Sequence, residues 1–276
     1  MNEPESERYD GLEHFYNPIR LFERWTSILF WISAFLSFVV IFTQQTQMIL
    51  VYKISQLLFA ICVAIHLLLS ISTKLYLIPR VEGKRRKQLL SNSFNVPLTP
   101  EQTRIYYNNP LAPSIHRLGA NILENSYFAK AVCGEMATRG RLKMAIYFVL
   151  WLVVVFMRST PVGILVIVTQ TVFSGELIAK QASIEMLRYR NENLYSELYQ
   201  QFLHKVDFQS ATGTACILDA FATYEATKAA AAIKQSSSIF FDLNSKLSKE
   251  WDDICCQLGI VPDKEESNAA SSKGCK

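Results

Sequence analysis

Residues 144–175 read MAIYFVLWLVVVFMRSTPVGILVIVTQTVFSG, an apolar run that only Arg158 and Pro161 interrupt and that leads into a polar segment from Glu176. Its two uncharged parts have 14 and 17 residues, fewer than the roughly twenty that a helix needs to cross a typical hydrocarbon core. Snorkelling of Lys143 and Arg158 would let both parts reach the interface, and a re-entrant pair is the alternative. We predict a transmembrane hairpin at residues 144–175.

A second apolar region precedes it at residues 25–78. One uncharged span runs over residues 25–43, polar residues 44–47 mark a turn, and a second span covers residues 54–73. Lys74 and Tyr76 suit the membrane interface, and Pro79 is expected to end the helix. The predicted fold is therefore an all-α membrane protein with four transmembrane helices in two hairpins plus a cytosolic helical region.

Basic residues close to the spans predict the orientation, since Lys and Arg are retained on the cytoplasmic side. Between Lys74 and Lys143 there are twelve basic and four acidic residues, whereas the two hairpin turns carry only Lys53 and Arg158. Both termini are therefore predicted to be cytoplasmic. The expected organisation is a cytosolic or interfacial segment at 1–24, hairpins at 25–78 and 144–175, a basic cytosolic helical segment at 79–143, a cytosolic C-terminal helical region at 176–261 and a disordered tail at 262–276.

Two helix starts are predicted inside the basic segment. Thr99, Pro100, Glu101 and Gln102 form a capping box with proline at the first helical position. Ser114 is expected to cap a second helix, whose apolar residues recur at intervals of three and four. They are Ile115, Leu118, Ile122, Leu123, Val132 and Met136. The opposite face would present Arg117, Asn121, Glu124 and Asn125.

The C-terminal region contains a seven-residue repeat of apolar side chains with Asn191 at one seam position. Its other members are Leu177, Ile184, Leu187, Leu194 and Leu198. This pattern is typical of a coiled-coil seam, in which one Asn can fix register and oligomeric state. We expect the seam to help hold copies of the chain together. A final helix is predicted to place one apolar face inward, formed by Phe240, Leu243, Leu247, Trp251 and Ile254.

Enzyme motifs are absent from the sequence. There is no phosphate-binding loop, nucleophile elbow or paired-histidine zinc motif, and the six cysteines lack metal-ligand spacing. We therefore predict a protein that is not an enzyme and that needs no cofactor or metal.

Polar residues in the spans are the candidate pore-lining residues, because lipid offers them no hydrogen-bond partner. They are Thr169, Gln170 and Ser174 in the fourth span and His66 in the second. A hydrogen bond to a neighbouring helix is the alternative for both Gln170 and His66.

Candidate ligand-binding residues combine cations for phosphate, amides for base edges and a ring for stacking. They are Arg85, Arg86, Tyr107, Arg117, Asn121 and Asn125. The basic run Lys84 to Lys87 is also explained by membrane topology and attraction to anionic lipids.

Two segments carry a resemblance to a known family. YYNNPLAPSIHRLGANILENSYF at residues 106–128 and KAAAAIKQSSSIFFDLNSKLSKEWDD at residues 228–253, together with the four-span order, resemble the SMODS-associated four-transmembrane effectors of bacterial anti-phage defence. The resemblance implies a pore in the bacterial inner membrane that disrupts the envelope of the infected cell. Its trigger would be a nucleotide or oligonucleotide made by a partner nucleotidyltransferase. The channel of the related Hailong system, held closed by such a product, is an equal match, and no site residue is transferred from either.

The sequence is thus compatible with three functions. The first is a ligand-gated homo-oligomeric pore, expected to be a tetramer because one short four-helix bundle can surround little water. The second is a membrane-anchored adaptor or scaffold whose spans only tether the cytosolic helices. The third is a small transporter, for which Pro161 and Gly163 are a weak indication because the first hairpin has no matching pair.

Overall fold

A computed structural model describes residues 9–45, 48–101, 103–104, 110–156 and 175–260. The regular secondary structure of this part is helical apart from one antiparallel pairing of Tyr9–Asp10 with Thr103–Arg104. A 3-10 turn, Glu13–Tyr16, precedes the first α-helix. The α-helices are α1 (Asn17–Gln45), α2 (Ile49–Ser72), α3 (Ile78–Phe94), α4 (Ile115–Phe156), α5 (Gly175–Leu203), α6 (Ala211–Ala231) and α7 (Ser237–Leu258).

The chain divides into two compact units. The bundle unit comprises Met1–His14, Arg80–Ala137 and Ser183–Lys276, and the apolar unit comprises Phe15–Pro79 and Thr138–Ala182. Helices α4 and α5 each contribute residues to both units.

In the apolar unit, α1 and α2 pack side by side as the predicted first hairpin. Two helical stretches, Glu13–Val40 and Ile49–Phe94, are long and apolar enough to cross a membrane. Every exposed side chain from Leu57 to Ile71 is apolar, whereas Ser55 and Thr73 are buried. This distribution suits a helix pair in lipid, where polar groups turn toward a neighbouring helix. Residues 144–156 form the apolar end of α4, on which Phe148, Leu150 and Phe156 are exposed. Residues 157–174 lie outside the described part.

The predicted helix end at Pro79 is wrong. A π-helix at Thr73–Leu77 joins α2 to α3, and the Ile78 N–H donates to the Thr73 carbonyl. Proline has no N–H to donate, and its ring crowds the carbonyl four residues earlier. Widening the helix just before Pro79 relieves that conflict, so the helix continues to Phe94.

The core of the bundle unit lies among α3, α4, α5, α6 and α7. The Arg117 N–H donates to Ser114 Oγ over 3.2 Å, which confirms Ser114 as the cap of α4. The predicted apolar face of α4 is also confirmed, since Leu118, Ile122, Leu123 and Val132 are fully buried. In α7, Leu247 and Trp251 are buried and Leu243 and Ile254 pack against the same core, as predicted.

The short helix predicted from Thr99 is wrong. Residues 99 and 100 form a bend, and Thr103–Arg104 pairs as a strand instead. Thr99 Oγ1 accepts the Glu101 N–H over 3.3 Å, a local turn that competes with a helix start. The carboxylate of Glu101 is bound by Lys84 of α3. Their contact holds the pKa of Glu101 down to about 2, because the ammonium hydrogen-bonds the ionised form.

The predicted intermolecular role of the α5 seam is also wrong for the residues from Ile184 to Leu198. Ile184, Leu187, Leu194 and Leu198 are buried inside the chain itself. Asn191, which was expected to set the register between copies, is 1 % exposed and donates to the Leu187 carbonyl of its own helix over 2.7 Å. The heptad pattern is thus explained by packing within one bundle unit.

Candidate functional site

Asn121 lies inside the bundle unit and not on an exposed face. Its side chain is fully buried, and Nδ2 donates to Asn92 Oδ1 over 3.1 Å and to Ser93 Oγ over 2.9 Å. The prediction that Asn121 and Glu124 belong to an exposed face is wrong, because Glu124 is buried as well. Asn121 therefore joins the end of α3 to α4.

The other predicted ligand-binding residues differ in how far their side chains are exposed. Arg117 is half-buried, its Nε has no hydrogen-bond partner in the described part of the chain, and burial lowers its pKa. Asn125 lies two turns further along α4 and is also half-buried. On α3, Arg85 is half-buried and Arg86 is exposed. Tyr107 lies outside the described residues.

Of the predicted pore-lining residues, only His66 lies in the described part. Its ring is half-buried at the α1–α2 seam, and Nδ1 lies 3.1 Å from the Thr26 carbonyl oxygen of α1. This contact matches the alternative of a helix-to-helix hydrogen bond. Thr169, Gln170 and Ser174 lie outside the described residues.

Helices α4 and α5 pack antiparallel within the bundle unit. The Tyr127 and Tyr195 ring centroids are 5.5 Å apart, and a Cβ placed on Gly134 would lie 3.9 Å from Arg188 Cδ. As residue numbers rise along α4, those of the α5 partners fall. Within the apolar unit, Gly140 and Gln181 continue the series, since a Cβ on Gly140 would lie 1.9 Å from Gln181 Oε1. In each unit the described parts of α4 and α5 therefore run antiparallel to each other.

A buried ion cluster joins α3 to α6. Lys228 Nζ is paired with Glu82 Oε2 and lies 3.7 Å from Glu225 Oε1. The three side chains are only 13 to 21 % exposed. Burial by itself would lower the pKa of Lys228, but Glu82 and Glu225 raise it well above its usual value. The lysine is therefore charged and holds two carboxylates from different helices.

Burial also raises the pKa of Glu225, against the opposing effects of Lys228 and Arg86. Glu82 and Arg86 are four residues apart on α3, so they share one face of that helix. The sequence analysis did not identify this cluster. The only signal in the sequence was the spacing of Glu225 and Lys228, three residues apart in the Ala-rich α6. That spacing does not indicate that Glu82 of α3 is their partner.

A second cluster surrounds Lys130 of α4. Its Nζ lies 3.4 Å from the centroid of the Tyr195 ring and 5.1 Å from that of Tyr127. Tyr127 donates a hydrogen bond to Glu250 of α7, and burial together with this carboxylate raises the pKa of Tyr127. Burial lowers the pKa of Lys130. The cluster ties α4, α5 and α7 together through aromatic and charged contacts.

Among the described residues, no group of three or more His, Cys, Asp or Glu side chains is placed to hold a metal ion. Comparison with family models, with characterised proteins and with solved structures found no match to this chain.

Proposed function

We propose that the protein is a gated, homo-oligomeric membrane pore with four spans in two hairpins and with both termini in the bacterial cytoplasm. The supporting observation is the α4–α5 arrangement. Helix α4 runs unbroken from the buried core of the bundle unit to the apolar residues 144–156. In this proposal α4 links the ligand-binding part of the chain to the second hairpin, for which Thr169, Gln170 and Ser174 are the candidate pore-lining residues.

The pore is proposed to be lined by the second hairpin of several copies, four in our proposal. The first hairpin turns His66, Ser55 and Thr73 toward its own interior and presents an apolar surface. Such a surface suits lipid or a neighbouring copy better than it suits a water path. A ring of copies around the second hairpin supplies a closed polar path.

The trigger is proposed to be a nucleotide or short oligonucleotide from a partner nucleotidyltransferase, in line with the family resemblance. The exposed Arg86 and the half-buried Arg85 and Arg117 are the described cations for its phosphates. Asn121 is withdrawn from this set because Asn92 and Ser93 already engage its amide. In this proposal the ligand shifts an existing equilibrium and must favour one state by several kcal/mol.

A membrane-anchored adaptor is the competing function. It is favoured by the apolar outer surface of the α1–α2 hairpin, which is what a simple tether needs. The two functions differ in one measurable property, which is the passage of ions through the protein.

The test is ion flux through purified full-length protein in liposomes, with and without a panel of linear and cyclic di- and triribonucleotides. We expect flux that a member of the panel raises or lowers, and we expect the Gln170→Leu variant to change it at least tenfold. Gln56→Leu is the matched control, since Gln56 is an exposed amide on α2, and its flux should stay within twofold of the wild type.

Absence of flux under all conditions, with correctly inserted protein, would favour the adaptor. Flux that no nucleotide alters would reject the proposed trigger, and equal flux of wild type and Gln170→Leu would reject the assignment of the pore lining. Calorimetric binding of the active nucleotide, weakened at least tenfold by Arg86→Ala, would place the ligand on α3.

A further inference from the structure

Glu82 of the ion cluster lies on a helical stretch that is long and apolar enough to cross a membrane. Ile49–Phe94 is one helical stretch, apolar over α2 and charged over α3, with the π-helix Thr73–Leu77 between them. Glu82 is only five residues beyond the end of that π-helix. Whatever holds Glu82 therefore holds the membrane helix close to the point where its apolar part ends.

Lys228 is the cation that contacts both carboxylates of the cluster, and Arg86 of α3 also acts on Glu225. Glu82 Oε2 and Glu225 Oε1 are buried atoms without a further hydrogen-bond partner in the described part of the chain. Removing the ammonium would leave two buried carboxylates facing each other across α3 and α6. Loss of one member of a buried ion pair is strongly unfavourable, because the remaining charge is desolvated and uncompensated.

The π-helix provides the place where the helix can yield. Its hydrogen bonds run from residue i to residue i−5, as Ile78 N–H to the Thr73 carbonyl shows. π-helical segments are rare in proteins, and those that occur are often found at functional sites. Pro79 prevents a simple return to regular α-helical hydrogen bonding at this position.

We infer that Glu82, Lys228 and Glu225 form an electrostatic latch that couples α6 to the α2–α3 helix and so holds the pore in one of its two states. The coupling to a pore rests on the proposed function, whereas the latch itself is a property of the bundle unit. When the latch is intact, α3 follows α6. When it opens, the first turns of α3, next to the π-helix, are released from α6, while the last turn stays bound to α4 through Asn121.

Three variants of the full-length protein test the latch. Lys228→Met removes the charge and keeps the length of the side chain, and Glu82→Gln is a milder change that keeps a polar group. Exchanging the charges in Glu82→Lys/Lys228→Glu again gives one lysine with two carboxylates, since Glu225 is unchanged. Lys246→Met is the matched control, because its pair with Glu250 spans 3.7 Å and the lysine is 72 % exposed.

Hydrogen exchange of residues 78–94 in nanodiscs is the first readout. We expect Lys228→Met to accelerate it about tenfold or more, Glu82→Gln to accelerate it less, and Lys246→Met to leave it within about twofold of the wild type. The charge exchange should restore slow exchange. Unchanged exchange in both Lys228→Met and Glu82→Gln would overturn the latch.

Ion flux in liposomes is the second readout. Lys228→Met should change the flux at least tenfold, with recovery in the charge-exchanged protein. Accelerated hydrogen exchange with unchanged flux would overturn the coupling to the pore. If the wild type conducts no ions, the proposed function fails, and the exchange measurements still decide whether the latch exists.

Discussion

Asn121 decides, at the scale of single residues, how α3 is attached to α4. Its amide reaches Asn92 and Ser93 in the last turn of α3, and the Ser114 N–H donates to the Ser93 carbonyl over 3.0 Å just before α4 begins. The two helices thus meet through polar groups, of which Asn121 and Ser93 are fully buried. Hydrogen bonds in such a setting are costly to lose, because the partner groups stay buried.

Replacing Asn121 by alanine is expected to lower the free energy of unfolding by about 1–3 kcal/mol, since Ser93 and Asn92 would lose a buried partner. Asn125→Ala is the control, because Asn125 is half-buried on the same helix, and it should change stability by less than about 1 kcal/mol. Thermal unfolding in detergent measures both. Equal stabilities of the two variants would contradict the structural role of Asn121.

The start of α6 shows how close packing limits the sequence of a whole element. Ser210 caps the helix by accepting the Gly213 N–H over 3.1 Å. A Cβ on Gly213 would lie 2.1 Å from the Asp207 carbonyl oxygen and 2.7 Å from Phe208 Cα. Both are backbone atoms, so the loop before α6 cannot move aside as a flexible side chain would. The turn and the helix that carries Lys228 are therefore fixed together.

Gly213→Ala is expected to destabilise the protein by about 1–3 kcal/mol, because the loop must shift to admit the methyl group. Gly134→Ala is the opposite case within α4, since its nearest neighbour, Arg188 Cδ, would be in ordinary contact at 3.9 Å. There the gain in helix propensity should stabilise the protein by about 0.5–1 kcal/mol. Chemical denaturation of the two variants gives the comparison. Similar effects of both would show that the Asp207–Phe208 backbone is able to yield.

At the scale of the whole molecule, the two units differ in the charge and the exposure of their side chains. The bundle unit contains a continuous core with buried ion and aromatic clusters. The apolar unit presents large side chains such as Phe35, Leu68 and Phe156, which are 64 to 80 % exposed. A surface of that kind requires lipid or another protein around it. The exposed apolar side chains thus belong to the apolar unit, which contains α1 and α2.

The proposed topology places the turn between α1 and α2 outside the cell and α3 inside. We expect a membrane-impermeant maleimide to label Thr46→Cys in intact spheroplasts above the wild-type level. Lys87→Cys, at an exposed position of α3, should be labelled only after permeabilisation, since the basic side is cytoplasmic. Labelling of Lys87→Cys in intact spheroplasts would contradict the orientation.

The sequence by itself determined those features that residues close together in the chain encode. The uncharged runs located the two apolar helices, Ser114 marked the start of α4, and the spacing of Leu247 and Trp251 indicated the buried face of α7. Such signals are local, because burial repeats with the helical period and caps act within one turn. The tertiary structure decided which elements meet. In the folded chain Asn121 is buried, the seam around Asn191 is an internal contact, and Glu82 lies next to Lys228. The sequence shows which residues are charged or carry an amide, but their partners depend on how the helices pack.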